Sequence, residues 1–268
     1  MVIFIDLDGT LLCEGDVSQR NRDAISAVQQ KGYEVVLCTA RPLSRFSSLM
    51  EQMNIRYAIA GSGAVIFDRI EDKLLQSITI DRAELEKMVE IASRHDLIHL
   101  FCTGKQAYTN HTFLRDFDKI SGGVEILERS VGEFFQEYKG SVIGFAPHSF
   151  KFDDLHNFYK DAIAQGFNVT GASKAIIEGG GRPRQSYYVE IAPVGISKGA
   201  GVEFILKLLG IDKKDAIAIG DGYNDVEMFR AVGTRVAMAN AVEGLKKLAT
   251  HHTGSYQEDG VAQFLYSL

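Results

Sequence analysis

With 268 residues, 46% of them hydrophobic, and a mean hydropathy of −0.04, the chain can build one large domain or two modest ones around a sizeable core. A net charge of −6 and a pI near 5.7 argue against a general binder of nucleic acid or anionic membranes, though not against a local cationic pocket for phosphate. Three cysteines without a CxxC pair, no basic leader and no apolar run near ~20 residues lead us to expect a soluble, cytoplasmic protein without a disulfide framework.

The chain begins with an apolar run, Val2–Ile5, of the kind buried on both faces of a parallel sheet. It stops at Asp6 and Asp8, followed by Gly9 and Thr10. In extended chain the two acids project to the same side, with Leu7 opposite. Placed at the carboxyl end of a buried strand, they enter the crevice where open α/β sheets bind ligands, and their mutual repulsion calls for a cation or a proton. Read alone, the pair serves equally well as acids in a solvated loop.

Ser18 predicts an N-cap for a helix running to residue 31, with Gly32 as its stop. A strand over 33–38 leads into Thr39-Ala40-Arg41, Pro42 opens a second helix, and a strand over 58–60 enters the turn Gly61-Ser62-Gly63-Ala64. A hairpin over 65–67 and 74–80 follows. This is the rhythm of a doubly wound parallel sheet. From residue 81 the pattern changes: helices over 81–95 and 152–165 alternate with strands at 98–102, 106–109, 141–146, near Phe167, 175–177 and 187–191. That composition suggests an α+β unit inserted into the first domain. The α/β rhythm returns with a helix over 197–209 ending at Gly210, a strand over 216–219 and the turn Gly220-Asp221-Gly222-Tyr223-Asn224-Asp225. A helix over 226–231, a strand over 235–238 and a helix over 242–248 complete it. The expected boundaries are 1–80 and 191–268 for an α/β core with a Rossmann-like parallel sheet, and 81–190 for an inserted α+β cap.

Asp6 and Asp8, Thr39, and Asp221 with Asp225 all follow strands, and Lys198 opens a helix. If those strands are parallel neighbours, the groups meet along one carboxyl edge. The carboxylates form a hard, oxygen-rich set suited to Mg²⁺, and Lys198 with Thr39 suits the oxygens of a phosphoryl group. The stretches D-L-D-G-T (6–10), C-T-A-R (38–41), I-S-K-G (196–199), G-D-G-Y-N-D (220–225) and V-A-M-A-N-A (236–241) resemble the haloacid dehalogenase-like phosphohydrolases, specifically the Cof-type branch with a large C2-type cap. The likeness spans nearly the whole chain, and four motifs in order are far more specific than any one alone.

The resemblance implies a Mg²⁺-dependent phosphomonoesterase acting on small phosphorylated metabolites, sugar phosphates first, with no nucleic-acid or membrane partner. By that likeness Asp6 is the nucleophile and Asp8 the general acid and base. Mg²⁺ sits on Asp6, the Asp8 carbonyl and Asp221. Thr39, Lys198 and Asn224, with the N–H groups of Leu7 and Ala40, hold the phosphoryl oxygens, and Asp225 orients Lys198 or a metal-bound water. Arg41 reaches substrate or pairs with an acid of the protein; both stay open. A phosphomutase or phosphotransferase, and a silent sensor of a phosphorylated ligand, are the rival functions.

Two residues depart from the family pattern. Ala40 stands where many relatives have Gly, and Ser62 where Asn is common, which puts any substrate role of residue 62 in doubt. Arg182 and Arg184, in the glycine-rich 178–185 stretch, are candidate contacts to the leaving group, although such a stretch is more often a solvated loop. His251-His252 reads as a surface pair, Cys38 as an inert buried thiol, and Phe134, Phe135 and Tyr138 as cap core.

Overall fold

A computed structural model describes residues 1–103, 107–111, 114, 126–137, 142–179 and 182–268. It divides into two compact units. One comprises Met1–Arg41, Ser47–Gln76 and Ser197–Leu268; the other comprises Pro42–Phe46 and Ser77–Ile196.

The first unit holds the expected α/β sheet. Its strands lie in the order His251–His252, Thr234–Ala237, Ala216–Gly220, Val2–Ile5, Glu34–Cys38, Tyr57–Ala60, Val65–Asp68 and Lys73–Ser77. The first six are parallel, and Val65–Asp68 runs antiparallel to its neighbour. Val2 pairs with Ala216 on one side and Glu34 on the other, and Ile5 with Ile219 and Leu37. All four residues of Val2–Ile5 are fully buried, which is why this strand shows no polar alternation. From it the chain builds outward through Glu34–Cys38 and Tyr57–Ala60, then returns to add Ala216–Gly220 on the opposite side. The order therefore reverses at the first strand. The loops leaving Val2–Ile5, Ala216–Gly220 and Glu34–Cys38 flank that reversal, the place where such sheets leave a crevice.

The helices are anchored locally. Ser18 caps Gln19–Gln30 by accepting from the Asn21 N–H at 3.1 Å, and the Asn21 side chain accepts from Ala262 N–H at 2.9 Å, tying this helix to Gly260–Leu265. Lys198–Leu209 lies close on the sheet because Gly201 has no side chain: a Cβ there would overlap Ile59.

The second unit is the expected α+β mixture. Its sheet runs Ile126–Glu128, Ala107–Thr109, Leu100–Thr103, Val142–Phe145, Arg182–Ile191 and His148–Ser149, with Val169–Gly179 also paired to Arg182–Ile191. Two helices, Arg82–Arg94 and Phe152–Ala164, bring Leu85, Met88, Val89, Leu155 and Phe158 into one core with Phe101, Phe145, Val189 and Ile191. Phe134 joins that core and Phe135 packs at its border, as expected; Tyr138 lies outside the described residues.

Several elements differ from the sequence expectation. The segments at 175–177 and 187–191 belong to one long hairpin, Val169–Gly179 with Arg182–Ile191, and Phe167 lies two residues before its first strand. Ile126–Glu128 and Val131–Glu137 add to the expectation: three residues are too few to show a period of two, and seven make barely two turns of a helix. Pro42 precedes a short 3-10 turn, Leu43–Arg45, and the helix begins only at Ser47. The strand expected to reach residue 80 ends at Ser77; the Ile80 N–H instead donates to the Val142 carbonyl at 2.8 Å. His251-His252 is exposed, but as an edge strand paired with Val236 and Ala237.

Two histidines are buried in the second unit. His99 packs edge-on against Phe101 and Phe145, and neither ring nitrogen has a hydrogen-bond partner among the described residues. His148 stacks on Tyr188 and meets Ser186 Oγ at 3.3 Å. Burial lowers the His99 imidazole to about 4 and, helped by Arg45, the His148 imidazole to about 3. Both bind a proton more readily unfolded, so their contribution is complete above pH ~6.5 and is lost as pH falls toward those lower values. His99→Phe is expected to make unfolding in urea less acid-sensitive than wild type, by about 3 kcal/mol at pH 4 relative to pH 7. Equal acid sensitivity in the two proteins would contradict this.

Candidate active site

The buried end of the site is an ion pair shared three ways. Lys198 is the first residue of its helix, behind Ser197, whose hydroxyl accepts from the Ala200 N–H at 3.1 Å. Its ammonium donates to Asp6 Oδ1 and to Asp225 Oδ1, both at 2.6 Å, with the three side chains at 0%, 5% and 0% exposure. Asp225 Oδ2 accepts from the Asp221 and Gly222 N–H groups, each at 2.9 Å. Both oxygens of the buried Asp225 carboxylate are therefore hydrogen-bonded, as a buried charge requires. Gly220 is needed here, since a Cβ would overlap the Asp225 carboxylate.

The same burial perturbs the titrating groups. Desolvation pushes the Asp6 carboxyl well above its ordinary value, Lys198 pulls it back, and Asp225, Asp221 and Asp8 raise it further. Burial alone would lower Lys198, but Asp225 and Asp6 outweigh it and hold the ammonium charged. Asp221 is pushed up to about 6 by burial and by repulsion from Asp225, against the pull of the Thr10 hydroxyl. Burial also drives the Cys38 thiol up, in keeping with an inert cysteine.

Asp8 sits in a different environment. Its side chain is 59% exposed, and Arg41 grips it with Nε to Oδ2 at 2.8 Å and Nη2 to Oδ1 at 2.6 Å. Of the two roles open for Arg41, the structure shows the pair with a protein acid. The turn that carries Asp8 past the first strand is closed by the Leu7 carbonyl, which accepts from Leu11 N–H at 3.0 Å and Leu12 N–H at 2.8 Å. Gly9 has φ +76°, and a Cβ there would collide with Asp221 Oδ2.

Thr39 is buried at the end of the second strand, and its Oγ1 accepts from the Arg41 N–H at 3.1 Å. Its carbonyl accepts from the Ser62 N–H at 3.1 Å, so the turn after the third strand is stitched to it. Ser62 holds φ +56°, a left-handed conformation uncommon for serine. Ala40 lies half-buried beside Thr39, and Asn224 half-buried beside Asp225. Arg184, by contrast, lies over the Phe150 ring at 5.6 Å in the second unit; Gly180 and Gly181 of its loop and the Arg182 side chain lie outside the described residues.

Carboxylate oxygens of Asp6, Asp221 and Asp225 lie within 4.8 Å of one another. Asp225 is committed to Lys198 and two N–H groups, which leaves Asp6 and Asp221 as the carboxylates able to take a hard divalent cation. Their crowding and the raised Asp221 and Asp6 carboxyls are what a bound cation would relieve, so the donor set fits Mg²⁺.

Sequence reasoning attached no role to two residues on Asp221. Thr10 Oγ1 donates to Asp221 Oδ1 at 2.9 Å, and Asn240 Nδ2 approaches Asp221 Oδ2 at 3.3 Å. Both stand in stretches that the sequence singles out, but their partners lie far away along the chain.

A family model described as haloacid dehalogenase-like hydrolase matches residues 3–265. Phosphatase YwpJ of Bacillus subtilis (strain 168) is 31% identical over 286 aligned positions, covering 100% of this chain and 99% of that protein. The 5-amino-6-(5-phospho-D-ribitylamino)uracil phosphatase YwtE of the same organism is 29% identical, covering 99% and 97%. A haloacid dehalogenase-like hydrolase from B. subtilis superposes with a TM-score of 0.82 at 26% identity, over 100% of this chain and 99% of that one.

Proposed function

This chain belongs to the haloacid dehalogenase-like hydrolases, and on that premise we propose that it is a Mg²⁺-dependent phosphatase acting on small phosphorylated metabolites through a phosphoryl group carried on Asp6. One observation carries the reading. The two acids of the first loop occupy opposite environments, Asp6 buried on Lys198 and Asp8 exposed on Arg41, and environments that differ this much give two carboxyls two roles.

In this account Asp6 attacks through Oδ2, since Oδ1 is taken by Lys198. A bond forms between Asp6 Oδ2 and phosphorus as the ester P–O bond breaks. Asp8, carrying a proton, gives it to the leaving oxygen, releasing the alcohol. Asp8 then takes a proton from water as the resulting hydroxide attacks phosphorus; the Asp6–phosphorus bond breaks, and phosphate leaves with Asp6 again a carboxylate. Arg41 holds both Asp8 oxygens in the structure, so in this account it releases one of them when Asp8 carries that proton. Thr39, whose Oγ1 accepts from Arg41 N–H, keeps its own proton to donate to a phosphoryl oxygen, beside Lys198, Asn224 and the Leu7 and Ala40 N–H groups. Asp6, Asp221 and the Asp8 carbonyl would hold Mg²⁺, which when bound offsets the repulsion between carboxylate and phosphate.

Sugar phosphates are the substrate class we place first. YwtE, by its name, dephosphorylates a small metabolite with a phosphorylated ribityl chain, which supports that class. Phosphate release from a panel of phosphorylated metabolites tests the function directly. Turnover is expected with Mg²⁺ and is expected to fall at least about 100-fold with EDTA, several kcal/mol of charge stabilisation being removed. Equal turnover in EDTA would overturn the metal dependence. Isomer interconversion without phosphate release would show a mutase instead.

A further inference from the structure

Asn240 follows the Thr234–Ala237 strand, in a loop sewn to the Asp221 turn. Met238 N–H donates to the Gly220 carbonyl at 3.1 Å, and Val242 N–H to the Asp221 carbonyl at 2.9 Å. Between these stitches the Asn240 side chain meets three separate loops. Its Nδ2 donates to the Gly9 carbonyl at 2.8 Å and approaches Asp221 Oδ2 at 3.3 Å. Its Oδ1 accepts from the Tyr256 N–H at 3.2 Å. The amide can sit only one way round, because two of its neighbours are acceptors and the third is a donor.

We propose that Asn240 is a positioning residue that sets cation affinity, by orienting the Asp221 carboxylate and pinning the Gly9 peptide next to the Asp8 carbonyl. This rests on the Mg²⁺ reading above. Thr10 fixes Asp221 Oδ1 and Asn240 fixes Oδ2, so the plane of the carboxylate is set from both ends. The missing side chain at Gly9 is what admits Asp221 Oδ2 to this corner, and the same peptide then accepts from Asn240. Tyr256 in turn locks the amide. Outer partners of this kind typically govern metal affinity about 10–100-fold, and the exposure of Asn240 places the expected effect at the lower end.

The test measures Mn²⁺ binding by electron paramagnetic resonance, together with phosphate release and thermal unfolding, for the full chain and two variants. Asn240→Ala removes the amide. Tyr256→Pro leaves Asn240 intact but deletes the N–H that locks it; residue 256 is the first of a 3-10 turn, where proline is tolerated, and Ser255 before it is already extended. Asn240→Ala is expected to weaken Mn²⁺ binding about tenfold. Tyr256→Pro is expected to weaken it by a smaller factor. In both, turnover at saturating cation and the unfolding temperature should stay close to wild type. Unchanged Mn²⁺ affinity in both variants would overturn the proposal, as would a loss that merely tracks a lowered unfolding temperature. If wild type binds no Mn²⁺, the metal reading fails and this proposal with it. If wild type binds Mn²⁺ and the variants weaken it but no ester is hydrolysed, the positioning role stands and the proposed reaction fails.

Discussion

Asp6→Asn is expected to lower phosphate release by at least about 10⁴-fold on every substrate, a loss on the scale seen when a catalytic nucleophile is removed. The amide preserves shape but cannot form the acyl-phosphate bond at the required rate. It also leaves Lys198 with one carboxylate partner, Asp225, instead of two. Because Asp225 remains, the variant should fold and still bind phosphorylated ligand. The expected signature is therefore lost turnover with retained binding, read by phosphate release and by calorimetry with inorganic phosphate. Loss of both together would point to a damaged fold rather than a missing nucleophile.

Lys198→Met is expected to destabilise the protein by about 3–5 kcal/mol in urea at neutral pH and to abolish turnover. Methionine nearly matches the volume of lysine, so packing is conserved while the ammonium is lost. Asp6 and Asp225 then face each other in a pocket where both are 5% exposed or less, without their shared cation. Adding Asp225→Asn should recover part of the stability, because one of the two uncompensated charges disappears. It should recover no activity, since the Lys198 contact to Asp6 and the phosphoryl contact proposed for Lys198 are still missing. If Lys198→Met were as stable as wild type, the three-way ion pair would be contributing no more than an apolar contact.

The core was legible because its signals are local. A strand buried on both faces has no reason to alternate, so Val2–Ile5 reads as one apolar block ending at Asp6. Ser18 and Gly210 mark helix ends by cap chemistry that needs no tertiary partner. Strand ends in turn place Asp6, Asp8, Thr39 and Asp221 at one edge once the sheet is parallel. What stayed illegible is pairwise and distant. Nothing near Arg41 in the chain announces Asp8, 33 positions away, and nothing near Asn240 announces Gly9, 231 positions away. The second unit was legible as α+β but not in detail, since Ile126–Glu128 spans three residues and the Val169–Gly179 strand carries no regular alternation. The buried ring of His99, whose nitrogens have no hydrogen-bond partner among the described residues, is likewise silent in the sequence; only the positions of Phe101 and Phe145 around it disclose its burial.

The central claim is that phosphate passes through Asp6 with Asp8 serving both half-reactions, and an Asp8→Asn variant tests it most directly. With an aryl phosphate the leaving group needs no proton, so the first half-reaction proceeds, while the second lacks its base and slows about 10²–10⁴-fold. The account predicts that acid-quenched Asp8→Asn, analysed by peptide mass spectrometry, carries about one phosphoryl group per chain on the peptide containing Asp6, after a matching burst of aryl alcohol. Continued turnover with Asp6 unmodified, or a phosphoryl group on any other residue, would contradict it.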